Sequence, residues 1–414
     1  MTDTSAFDAF GRDYARLAFG IEGHVPGFID AYLGPEDARA ALEPAEPPPA
    51  GELIEAAQGL LRGVSALDAP ETRKGYLTRQ VEAMLATTRR LAGEELPYWE
   101  EVRLLFDIEP ATTPETLFDA AIANLDGLLP GDGPVPDRMA EWRKRYEIPP
   151  EVARKVVDAI LPVLRERTRA IVDLPREESI EIQMVSDQPW SGYNWYLGGA
   201  RSRVDLNTDL SIHAFRLTEL LAHECYPGHH TEHLLKERLY TVDGLGEHAL
   251  QLINTPECLI SEGIATVAEA MIFSPDELAR FRRDHVYAVA GIAGDPEREI
   301  AISAARRALA SVPSNAALLL HEEGRDEDEV VAYLQRYGLA TEAEARQRLR
   351  FIANPLWRAY IFTYDVGHDL IWSWLTAAPV EERAARFRRL LTEQVYPSQL
   401  AAERNASLSG TTAS

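Results

Sequence analysis

"LLAHECYPGHHTEHLL", Leu220 to Leu235, is the stretch on which the fold turns. It begins as a helix that would carry a metal-binding His-Glu pair, His223-Glu224. The HExxH pattern of zinc peptidases would place a second histidine at position 227, but this chain has Pro227 there. Histidines follow instead at 229, 230 and 233.

Helical geometry limits which of them can act together. Histidines six apart on a regular helix differ by about 120° in direction, so His223 and His229 cannot meet on an unbroken one. His223 and His230 would face the same way but sit about 10 Å apart along the axis. Pro227 has no N–H to give the carbonyl of His223, and its ring pushes on that carbonyl. Gly228 beside it tolerates unusual backbone angles. A helix starting near Ser211 should therefore break at Tyr226–Gly228 and resume at His229. The break would turn the His229 ring back toward His223 and leave His230 facing a groove. A rival pair, His229 and His233, needs no break, being spaced i, i+4 on the resumed helix. A solvated, histidine-rich helix face is the plainest alternative.

A catalytic zinc site uses three protein ligands and keeps one position open. "TPECLISEGIATVAEAMIF" offers a third ligand, Glu262, 39 residues after His223 in an otherwise apolar helix. A carboxylate buried there needs a partner, metal or base. Glu269, seven residues on, shares roughly the same face.

The rest of the chain reads mostly as helix. "YLTRQVEAMLATTRRLAG" from Tyr76 has helical apolar spacing and a glycine stop. "PPEVARKVVDAILPVLRERTRAIV" opens with prolines at Pro149, where a first helical turn accepts them. "DEDEVVAYLQRYG" and "TEAEARQRLRFIA" put acids first and bases later, as the helix dipole favours. One region differs. "SIEIQMVSD" from Ser179, "YNWYLGGA" from Tyr193 and "SRVDLNTD" from Ser202 predict a small antiparallel sheet of about three strands just before the motif. The strand closest to the motif helix could offer its edge to an extended peptide.

The fold class expected is therefore mainly α, with a small antiparallel sheet beside the site. A single domain over 1–414 is expected. The Pro/Gly-rich loop "LPGDGPVPD" could mark a helical N-terminal part (1–135) off from a catalytic part (136–400), with 401–414 as a flexible tail.

Formal net charge is −24, from 66 acidic and 42 basic residues, which argues against nucleic acid as a partner. Two cysteines, Cys225 and Cys258, do not make a disulfide framework. The start, "MTDTSAFDAFGRDYARLAF", has no basic-then-apolar run, and no stretch approaches the roughly 18 apolar residues of a membrane helix. A cytoplasmic protein without membrane partners is expected; oligomeric state is left open.

"HECYPGHH" followed by "SEGIATVAEA" resembles domain-of-unknown-function family 885, whose hallmark is His-Glu-x-x-Pro-Gly-His-His followed by a Glu-Gly-x-Ala-x-x-x-x-Glu helix. "LLLHEEGRDEDEVVAYLQRYGL" and "NPLWRAYIFTYDVGHDLIW", with its Tyr364-x-x-Gly367, extend the resemblance over roughly residues 180–375. The chain departs from that family at Ile264, often Trp, and at Glu232, often Gln. The resemblance implies a gluzincin-like fold similar to the thermostable metallocarboxypeptidases. It implies a zinc peptidase of the carboxypeptidase or oligopeptidase kind, acting on a peptide or small amide in a groove. Carried over by residue, His223 and Glu262 become metal ligands and Glu224 the general base. The second histidine ligand is His229 or His230, with His229 favoured and His230 then a groove-facing donor. Tyr364 would donate to a developing oxyanion. Arg358 could hold a substrate carboxylate or form a structural ion pair, and His368 lies nearby in sequence. A metal-dependent hydrolase of other amides or esters, and a non-catalytic metal-binding protein, are the alternatives.

Overall fold

The computed structural model describes residues 7–188 and 190–411. It is mainly α, as expected, with a three-stranded sheet and a further two-stranded one. Two compact units share the chain. One comprises Met1–Pro110, Glu232–Ile264 and Pro355–Ser414, the other Ala111–Thr231 and Ala265–Asn354. The division falls after Pro110, not near residue 135, and the first unit takes back the C-terminal part of the chain.

In the first unit, helices Ala9–Glu22, Ala50–Ala66 and Glu71–Leu91 pack on one another through residues such as Leu17, Leu60, Leu77 and Val81. Ile29–Tyr32 pairs antiparallel with Leu250–Leu252. The tail expected at 401–414 is instead helical, within Pro397–Thr411, and Thr412–Ser414 lie outside the described residues. That helix is held because Leu400 is buried and Glu403 takes two bonds from Arg389 (2.6 and 2.9 Å) and one from Trp374 Nε1 (3.1 Å).

Prolines punctuate the helices. Pro49, Pro70, Pro114, Pro134 and Pro149 each stand in the extended residue before a first turn, where a missing N–H costs no helical bond. The predicted helices form as Glu71–Leu91, Pro150–Arg169, Glu327–Gly338 and Glu342–Ala353. The last opens with a reciprocal Thr341/Glu344 cap.

In the second unit, strands Ser179–Val185, Gly192–Gly198 and Arg201–Asn207 make the three-stranded sheet expected. Arg201–Asn207 lies in the middle. It runs antiparallel to Gly192–Gly198, across a turn at Gly198–Ala200 with positive φ throughout, and parallel to Ser179–Val185. Being central, it has no edge to offer a peptide; Gly192–Gly198 is an edge strand instead. No single helix among the described residues is long and apolar enough to cross a membrane.

Candidate metal centre

The first motif helix runs Arg216–Glu224, not from Ser211. Residues before it are committed elsewhere: Ile148 N donates to Ile212 O (2.9 Å) and Ala214 N to Tyr146 O (2.8 Å). The chain then leaves the helix over Cys225–Gly228, with a cis bond at Tyr226–Pro227, and the second motif helix runs His229–Thr241. The expected break is present.

Its construction is local. Cys225 N and Tyr226 N both reach Leu221 O (2.9 and 3.2 Å), and Gly228 N donates to Ala222 O (2.9 Å). Gly228 thus lies directly over the carbonyl that Pro227 cannot bond. A Cβ there would stand 1.9 Å from His223 O and 2.5 Å from Ala222 O, so no other residue fits without moving backbone. Thr231 N and Oγ take up Cys225 O (3.3 and 3.2 Å) as the helix restarts. On the sheet side, Asn194 Nδ2 donates to Glu224 O (2.6 Å), satisfying a carbonyl that the helix end leaves open.

The break sets the His223 and His229 rings edge-to-face with centroids 4.8 Å apart. The ligand atoms of His223, His229 and Glu262 all lie within 4.8 Å of one another. Bonds of about 2.0–2.1 Å in a tetrahedral site need such atoms about 3.3 Å apart, which small side-chain shifts supply. Two imidazole nitrogens and one carboxylate oxygen are the donor set of a catalytic zinc with an open position.

The electrostatics agree. Burial lowers His223 to a pKa of about 4, against a weaker opposing pull from Glu219. Its ring is therefore neutral at ordinary pH, as a metal ligand must be. Burial, with Glu232 and Asp30 adding to it, raises Glu262 to about 7 despite a hydrogen bond from Tyr360. A carboxylate whose charged form is disfavoured by burial gains from a bound cation.

Glu262 is placed by backbone-to-backbone packing. Its helix, Pro256–Ile272, meets the helix Phe362–Thr376 at Gly263 and Gly367. A Cβ on Gly263 would be 2.7 Å from Gly367 O, and one on Gly367 would be 2.8 Å from Leu259 O. Tyr360, just ahead of the second of these helices, donates to Glu262 Oε1 (2.7 Å). Such a partner fixes a ligand's direction. Sequence reasoning missed Tyr360, since a tyrosine in a loop before a helix carries no pattern of its own. Tyr364 packs edge-to-face on Tyr360 (5.6 Å) and is 40% exposed.

Other residues fall as follows. Glu224 ends the first motif helix and is 6% exposed. His230 does not face a groove: it is 0% exposed, with Ser202 Oγ at 2.8 Å from Nδ1 and Glu178 at 3.2 Å from Nε2. Both nitrogens are engaged because Glu178, itself held by Arg165 and by the Tyr226 hydroxyl, sits beneath the break. His230 thus ties the restart of the helix to Ser202 and Glu178. His233 Nδ1 lies 2.7 Å from Gln251 Nε2, and His233 is not part of the three-ligand group. Glu269 takes two bonds from Arg282 (2.8 and 3.1 Å), which also binds Glu299; burial raises Glu269 to about 7 against that arginine. Arg358 forms an ion pair with buried Glu101 and lies over the Tyr98 ring, the structural pairing that was the alternative to a substrate contact. His368 Nδ1 lies 2.9 Å from Asp369 and its ring stacks on Trp372.

No family model and no curated protein matches the chain. The solved structure of a putative lipoprotein of unknown function from Shewanella oneidensis is similar at 15% identity and a TM-score of 0.48. That similarity covers 90% of this chain and 75% of that one.

Proposed function

We propose that the chain is a zinc-dependent peptidase whose ligands are His223, His229 and Glu262, as in the resemblance to the gluzincin-like family 885. The observation that carries this reading is the triad of ligand atoms within 4.8 Å, formed by a helix break at the residues that depart from HExxH. Zinc held by these three residues would supply Lewis acidity to the attacking water and to the carbonyl under attack.

The chain's own groups do the rest. Glu224, next to His223, accepts the proton from the attacking water and passes it to the leaving amine. Tyr364, exposed above Tyr360, donates to the oxyanion as it forms. Tyr360 keeps Glu262 aimed. The edge strand Gly192–Gly198 reaches the Glu224 carbonyl through Asn194, and its Trp195 (39% exposed) and Leu197 (56%) suit an extended peptide laid along it. Cys225 and Cys258 are free, buried thiols, which suits a reducing, cytoplasmic setting.

Zinc-loaded protein incubated with a mixed peptide library and followed by mass spectrometry should yield discrete products. Chelation should stop their formation and added zinc restore it. Intact peptides alongside cleavage of simple amides or esters would favour the broader hydrolase. No turnover of either kind by zinc-loaded protein would discard the enzyme reading.

A further inference from the structure

Two of the helices that carry the proposed ligands are tied to each other by buried polar groups. On the helix His229–Thr241, Glu232 and Lys236 follow His229 by three and seven residues, so all three share one face. On the helix Pro256–Ile272, Glu257 and Ser261 are spaced i, i+4 and also share a face, with Glu262 next to Ser261. The two faces meet. Ser261 Oγ donates to Glu232 Oε2 (2.6 Å), and Lys236 Nζ donates to Glu232 Oε1 (2.7 Å) and to Glu257 Oε1 (3.4 Å). Glu257 is held in turn from the helix Glu71–Leu91, by the Tyr76 hydroxyl (2.5 Å) and Gln80 Nε2 (3.4 Å). All of these side chains belong to the first unit.

The tie lies inside the protein: Glu232 is 1% exposed and Lys236 7%. Apolar side chains would hold two helices together at less cost, because a buried ion pair gains little beyond its own desolvation. What such a pair supplies is register, the slide and turn of one helix against the other. Two contacts, Ser261 with Glu232 and Glu257 with Lys236, fix both at once. The register they fix bears directly on the ligands. Glu232 stands three residues, about 4.5 Å of rise, beyond His229. Ser261 stands one residue ahead of Glu262. A slide or turn of either helix breaks these bonds and moves Glu262 away from His229.

We infer that Glu232 and Ser261, braced by Lys236 and Glu257, are positioning residues for the metal site: they set the approach of Glu262 to His229, and with it the geometry and affinity of the bound ion. None of the four belongs to the three-ligand group, so they act through the ligands. Partners at one remove from a metal change its affinity by about 10–100-fold. This role rests on the ligand set of the proposed peptidase, but it is read in metal binding, without turnover.

Three readouts make the test: zinc affinity by chelator competition, the visible absorption of the cobalt(II)-loaded protein, and the Tm of metal-free, chelated protein. Ser261→Ala removes the hydroxyl that bonds Glu232 and leaves both ion pairs of Lys236. Its metal-free Tm should stay within about 3 °C of the wild type. Its zinc affinity should fall about 10–100-fold, and its cobalt bands, which report coordination geometry, should shift. Glu232→Gln keeps an oxygen for Lys236 and turns an amide N–H to Ser261 Oγ, so its affinity should lie within about threefold of the wild type, with unshifted bands. Glu232→Leu combined with Lys236→Met removes opposite charges together. It should keep or raise the metal-free Tm and still weaken zinc at least tenfold, which separates register from stability. The control Thr241→Ala, at the far end of the same helix, loses a hydroxyl bond to Glu237 O and should bind zinc as the wild type does. Unchanged zinc affinity and cobalt bands in Ser261→Ala and in the double variant would overturn the positioning role. So would zinc losses that only track losses in metal-free Tm. Zinc held by the wild type and weakened in Ser261→Ala, without any peptide cleavage, would keep the positioning role and sink the peptidase reading. Zinc-dependent cleavage with an affinity that none of these variants alters would do the reverse.

Discussion

Gly228→Ala is expected to remove zinc binding, although residue 228 supplies no ligand atom. A Cβ at 228 would meet His223 O at 1.9 Å and Ala222 O at 2.5 Å, both backbone atoms of the helix that carries the first ligand. Relief requires the Cys225–Gly228 segment to move, and His229 follows directly from it. Overpacking of this kind costs about 1–3 kcal/mol and at times more. The loss of register between the two rings adds to it in the metal-bound state. Competition with a colorimetric chelator should give a zinc affinity at least 100-fold weaker than wild type, roughly 2.7 kcal/mol. Unchanged affinity and Tm would mean that the break tolerates a side chain and does not position His229.

Glu224→Gln should separate binding from turnover. The substitution preserves shape and leaves the Glu224 carbonyl, held by Asn194, in place. It removes only the ability to take a proton. Zinc content should stay near that of the wild type, while kcat on any cleaved peptide falls by about 10²–10⁴, the usual range for a general base. If the variant loses zinc as completely as His223→Ala, Glu224 is a ligand and the roles assigned here are wrong.

The helix break was legible in the sequence because two local rules coincide at one point. Pro227 withholds a hydrogen bond, and Gly228 permits an approach that any Cβ would block. Glu262 was legible as a lone acid in an apolar helix, and its neighbour Gly263 proves to be a packing contact. What the sequence hid depends on contacts between distant segments. Whether His230 faced a groove was decided by Glu178 and Ser202, which lie 52 and 28 residues away. Arg358 was claimed by Glu101, 257 residues away. Strand order was hidden for the same reason: no periodicity tells which of three short strands is central, and the one nearest the motif took the middle.

Zinc bound per chain decides whether the break builds a metal site with His229 as its second ligand. It is read by elemental analysis after zinc loading and desalting, in wild type, His229→Ala and His230→Ala. The wild type should hold about one zinc, His229→Ala less than a tenth of that, and His230→Ala most of it, because His230 is turned away toward Ser202 and Glu178. Retention of zinc by His229→Ala with loss in His230→Ala, or no zinc in the wild type, would contradict it.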